Sequence, residues 1–173
     1  MIQPSVLVKG RSLMAVSLIH RDLRYILYDV IFWISANFFI GFALFTIDNR
    51  RFGRFAPTAS ADRLASKAAL IRRVTKVERW KRYLPEAGSF FKGGVNKSTL
   101  QKSTKGHLEM MMNEFQRARV VHVLLIVIWP ITLIFNPLWI TLAMAPYVVF
   151  ANVPCLISLT YSYYRFGAVL KRR

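Results

Sequence analysis

The stretch "VVHVLLIVIWPITLIFNPLWITLAMAPYVVFANVPCLISLT", residues 120–160, contains no Asp, Glu, Lys or Arg. Asn136-Pro137 divides it into two apolar runs, Val120 to Phe135 and Leu138 to Thr160. Asn-Pro is a turn signal, and proline cannot continue the helix before it, so the two runs predict a helical hairpin within a membrane. The first arm amounts to about 24 Å of helix, short of a hydrocarbon core of about 30 Å. That shortfall is expected to hold His122 near headgroup level.

Immediately upstream, "NEFQRAR", residues 113–119, carries Glu114, Arg117 and Arg119 to the mouth of this run. At 100° per residue Glu114, Arg117 and His122 share an arc of about 140°. Arg119 lies about 140° from Glu114 and is expected among lipid headgroups. Glu114 and His122 are about 12 Å apart along a helix, too far for a direct hydrogen bond. A bound substrate bridging them, or Arg117 standing between them, would connect the two. A helix entering a membrane often carries Arg and Glu in its last watery turn, so snorkelling side chains are the plain alternative.

Further upstream, Val30 to Ile47, "VIFWISANFFIGFALFTI", is a second kind of apolar run, bracketed by Asp29 and Asp48. Its length of about 27 Å suits one membrane helix, placed at residues 25–48, with Tyr25 and Tyr28 at an interface. Residues 1–24 read as a lead-in, because they lack the compact apolar core and cleavage site of a signal peptide.

The chain of 173 residues has a net charge of +17 and 54% apolar residues. In a soluble domain such charge would suggest nucleic acid. Here the two properties are segregated: Asp48 to Arg119 holds 17 of the 25 basic residues against six acids. The pattern is that of an all-α integral membrane protein with a basic surface toward anionic lipid, and no nucleic-acid partner is expected. Within the basic segment, residues 49–106, "ADRLASKAALIRRVTKVERWKRYL" spaces its Leu and Ile residues as an amphipathic helix lying on the lipid surface. Pro85 ends it, Phe90 and Phe91 follow in a loop, and Trp80 reads as an interfacial anchor. Residues 107–173 supply a long helix, the hairpin and a basic tail. The basic bias puts the middle segment in the cytoplasm of a multi-pass cell-membrane protein. Alternatively the first run dips in and returns. Cys155 alone cannot form an intrachain disulfide, and three scattered histidines suggest no metal site. No P-loop, His-x4-Asp or Gly-x-Ser-x-Gly motif occurs, and no cofactor is implied.

Three segments, "ERWKRYLPEAG", "NEFQRARVVH" and "ANVPCLISLTYSYYR", resemble the glycosyl-4,4'-diaponeurosporenoate acyltransferase family over roughly residues 30–173. In that family Trp80 and Lys81 match a Trp-Lys pair followed by Leu84 and Pro85, and Lys97 matches a common lysine. Glu114, Arg117, Ala118 and His122 match a Glu-Thr-x-Arg-Ala-Glu-x-x-His signature, from which Phe115 and Arg119 depart. Asn152 and Pro154 match an Asn-x-Pro, while a terminal arginine-rich motif survives only as Tyr161 and Arg165. The resemblance implies transfer of a fatty acyl group from an activated donor such as acyl-CoA to a sugar hydroxyl of a glycosylated, lipid-like acceptor.

On that reading His122 is the general base, and Glu114 orients Arg117 or the sugar. Arg117 or Asn152 donates to the oxyanion. Lys81, Arg82 and Lys97 hold donor phosphates, with Trp80, Tyr161 and Arg165 completing the substrate-binding set. The acyl tail is expected between the hairpin helices, loosened by Pro130 and Pro146. A basic membrane-surface scaffold, or a subunit of a membrane complex without catalysis, is the competing reading.

Overall fold

A computed structural model of the chain describes residues 4–55, 58–84 and 104–172, with side chains from residue 23 onward except at 54 and 55. Lys97, Pro85, Phe90 and Phe91 lie outside the described residues. The chain is an all-α membrane protein, with no strand among the described residues and three helices long and apolar enough to cross a bilayer.

Helix α1, Pro4–Thr46, joins the lead-in and the first apolar run in one continuous helix, whose apolar part is Leu23–Thr46. A 3₁₀ segment, Asn49–Phe55, then turns the chain. Helix α2, Ala61–Thr75, begins at Ser60, whose side chain accepts from the Arg63 N–H, with Asp62 in its positive first turn. Lys76 ends it in a left-handed conformation, φ 51°, before α3, Val77–Trp80, and a 3₁₀ turn, Lys81–Tyr83. Helix α4, Lys105–Val127, is capped by Thr104. It gives way to a 3₁₀ turn, Trp129–Ile134, at the Trp129-Pro130 step, because the proline has no N–H for the helical ladder. After Asn136-Pro137 come α5, Leu138–Ala143, and α6, Ala145–Arg172.

Helix α6 is the centre of the molecule. One face packs on α4, with Leu159, Tyr163 and Phe166 against Leu108, Met111, Met112 and Phe115. The opposite face carries Tyr161 against Ala68 and Val77 of α2 and α3. Closer to the hairpin turn, Trp33 of α1 packs with Leu125 and Val148. The outward surface of α1 and the hairpin keeps Ile34, Phe39, Ile134 and Phe150 between 66 and 83% exposed. Water would not tolerate so large an apolar surface, whereas lipid tails match it.

Three expectations change. The basic helix does not lie free on lipid: Ala68 and Val77, 6 and 0% exposed, pack with Tyr161 of α6, and the helix is broken at Lys76. Trp80 spans that break, its indole N–H donating to the Thr75 carbonyl at 2.8 Å. The prolines do not loosen the hairpin, since Leu125 and Val148 fill it and Trp129 Nε1 donates to the Thr141 carbonyl at 3.0 Å. The first run does not return on itself. Phe45 near one end of the run meets Arg117, and Asp29 at its other end accepts from Asn136 at the hairpin turn.

Candidate functional site

Glu114, Arg117, His122 and Asn152 occupy the region where α4 meets α1, the first 3₁₀ segment and α6. Glu114 and Arg117, one turn apart, form an ion pair of 2.5 Å with side chains only 18 and 14% exposed. Asn49 donates from Nδ2 to Glu114 Oε1 at 3.0 Å. The Arg117 guanidinium stacks over the Phe45 ring, 5.1 Å from its centroid. Gly53 lets the 3₁₀ segment approach α4 this closely: a Cβ there would lie 3.1 Å from Asn113 Oδ1. Arg117 is thus pre-oriented by a carboxylate and an aromatic ring, and its planar fork suits that double constraint better than an ammonium would.

His122 faces α6. Its Nδ1 lies 2.9 Å from Asn152 Oδ1, and Asn152 is 4% exposed. Asn152 Nδ2 donates to the Val148 carbonyl at 2.9 Å. A carbonyl only accepts, so that bond fixes which end of the amide turns to the histidine. Oδ1 also only accepts, and therefore Nδ1 carries a proton. In the neutral ring this makes Nε2 the basic nitrogen, the tautomer a general base requires.

The predicted set does not converge on one place. Tyr161 follows Asn152 by nine residues, about 180° round the helix and about 14 Å along it. It belongs with Trp80, Lys81 and Arg165 on the far face of α6. There the Tyr161 hydroxyl donates to Glu78, and Lys81 Nζ sits 5.0 Å over the Tyr161 ring. Tyr161's hydrogen bond, with Arg72, Lys81 and Arg165 nearby, holds the Glu78 carboxyl below its ordinary range. Burial and Arg165 push the Lys81 ammonium down, against the opposing pull of Glu78. Arg82 is exposed and folds onto the neighbouring Tyr83, donating to its hydroxyl at 2.9 Å.

Arg119 is held within the protein on two sides. It donates to Gln116 at 2.8 Å and lies over the Tyr163 ring, 5.4 Å from the centroid. Asn49 and Glu78 went unrecognised in the sequence, because an asparagine after a span and a glutamate among arginines carry no pattern of their own.

A family model described as glycosyl-4,4'-diaponeurosporenoate acyltransferase matches residues 48–172, most of the chain, and the chain belongs to that family. No curated protein and no solved structure matches it. The match begins at Asp48, so α1 lies outside it, whereas every residue of the α4–α6 site except Phe45 lies within.

Proposed function

We propose that this member of the acyltransferase family moves a fatty acyl group from a thioester donor, acyl-CoA, to a sugar hydroxyl of a glycosylated carotenoid or similar glycolipid, with His122 as general base. The observation that carries the proposal is the His122–Asn152 bond, which commits Nδ1 as a donor and leaves Nε2 basic. Nε2 takes the proton as the sugar oxygen attacks the thioester carbonyl. The C–O bond forms, the tetrahedral intermediate collapses, the C–S bond breaks, and the imidazolium returns the proton to the departing thiolate.

Asn152 is a positioning residue on this account, since its oxygen serves His122 and one of its two amide hydrogens serves Val148. Arg117, held by Glu114 and Phe45, is the cation available to the oxyanion. The apolar tail is assigned to a mainly apolar groove of about 970 Å³ lined by Val30, Trp33, Ile34, Met144 and Tyr147, with Asp29 and Asn37 also in its wall. The basic middle is assigned to the cytoplasm, where acyl-CoA resides. A scaffold would have no use for a tautomer-fixing asparagine in an apolar helix, where an unpaired amide is costly.

The test is acyl transfer by purified protein in lipid nanodiscs, using labelled acyl-CoA and a glycosylated polyene. His122→Ala should lose about 10²–10⁴-fold in kcat with insertion unchanged. Turnover within a few-fold of the parent would remove His122 from the chemistry.

A further inference from the structure

The apolar groove has two unlike ends. Ile26, Val30, Ile34 and Asn37 line it from α1, with Met144 and Tyr147 opposite. Toward the candidate site, Gly41 prolongs it. At 100° per residue Gly41 points between Ile34 and Asn37, and Phe45, which lies over Arg117, follows one turn on. A Cβ on Gly41 would meet nothing within 4 Å, so the space over α1 stays open there. Glycine weakens a helix interior through its backbone freedom, and no close approach requires it here. What the missing side chain provides is an open lane from the groove toward Arg117.

Away from the site the lining turns polar. Asp29 stands in the groove wall and accepts from Asn136 at the hairpin turn. Asn136 Oδ1 is buried there without a hydrogen-bond partner among the described residues. Hydrocarbon packed on this carboxyl and amide supplies them no partner, so a chain gains little by extending past them. Gly41 and Asp29 are separated by about 18 Å of helix. An extended chain advances about 1.2 Å per bond, so that length holds about 15 carbons. A rigid polyene long enough to cross the bilayer would overrun it, whereas a saturated acyl chain ends within it.

We infer that this lane measures the donor's acyl chain, with Gly41 as its entrance, Ile34 as its wall, and Asp29 with Asn136 as a polar stop. The inference rests on the acyl-transfer reading and adds to it the residues that select chain length. They belong to α1 and the hairpin turn, and α1 lies outside the stretch that the family model matches.

The experiment compares octanoyl-, myristoyl- and eicosanoyl-CoA as donors to one glycosylated polyene, with purified protein in nanodiscs. The parent should favour myristoyl-CoA over eicosanoyl-CoA by about tenfold or more in kcat/KM. Ile34 is 66% exposed, so tryptophan fits there without disturbing the core. Ile34→Trp narrows the lane about 10 Å from Gly41 and should move the optimum to octanoyl-CoA. Gly41→Leu should lower kcat/KM for myristoyl-CoA about tenfold with the melting temperature retained, because its side chain enters open space. A flat profile in the parent, or an unmoved optimum in Ile34→Trp, overturns the inference. A second measurement needs no turnover: myristoyl-CoA with a terminal diazirine, photolysed on the His122→Ala protein. Crosslinks should fall on residues 26–34 and diminish in a Gly41→Leu background. Crosslinks confined to other helices, or undiminished by excess unlabelled myristoyl-CoA, assign the groove to bulk lipid and overturn the inference. Crosslinks at 26–34 with no transfer by the parent would instead sink the acyl-transfer reading alone and leave the lane as a site for the acyl chain.

Discussion

At the scale of single residues, the site depends on hydrogen bonds whose direction is forced. Asn152 can face His122 only with its oxygen, because the Val148 carbonyl takes its nitrogen. Asn152→Ala should therefore lower kcat by about tenfold while changing KM little, since one oriented hydrogen bond is removed from the base and none from a substrate. Asn152→Asp keeps an acceptor toward Nδ1 and should retain more activity near neutral pH than the alanine variant; the reverse order would argue that the asparagine acts some other way. Arg117→Lys should also slow turnover, because an ammonium lacks the planar fork that pairs with Glu114 while lying over Phe45. The sequence made Glu114, Arg117 and His122 visible as polar groups at an apolar boundary. It could not show that Asn49 completes the Glu114 pair, because that contact joins positions 65 residues apart.

At the scale of elements, the junction of α2, α3 and α6 turns on Lys76 and Glu78. A left-handed lysine is strained by its Cβ, so Lys76→Gly should leave stability unchanged or raise it by about 1 kcal/mol, measured as the melting temperature in detergent. Glu78 has a folded pKa below its unfolded value, chiefly through the Tyr161 hydroxyl. A depressed acid contributes stability that is present above the unfolded pKa and lost as pH falls through the folded one. The melting temperature should thus fall more steeply below about pH 4.5 in the parent than in Glu78→Gln. Parallel curves for the two proteins would deny Glu78 this role. The amphipathic period of α2 was readable in the sequence, but its partner was not. Ala68 and Ile71 are equally suited to lipid and to α6, and only the fold places Tyr161 and Ile157 of α6 against them.

At the scale of the whole molecule, one polar contact ties the first helix to the hairpin. Asn136 donates to Asp29 Oδ1 at 2.7 Å, and the two are 5 and 4% exposed. Asp29→Ala should destabilise the protein by about 1–3 kcal/mol by leaving the amide buried without this acceptor, whereas Asp29→Asn should be milder. Detergent-resistant melting of the two variants checks it. The proposed orientation predicts that a cysteine at Ser66, in a Cys155→Ser background, resists impermeant thiol reagents in intact cells. Ready labelling would place the basic face outside. Apolar run length, the Asn136-Pro137 turn and the clustering of 17 basic residues determined by themselves that this is a helical membrane protein with a terminal hairpin, because hydropathy and proline chemistry act locally along the chain. Which polar residues meet was decided only by the tertiary structure. Helical phase turns Asn152 and Tyr161 to opposite sides of α6, and packing on both sides divides one expected site into two.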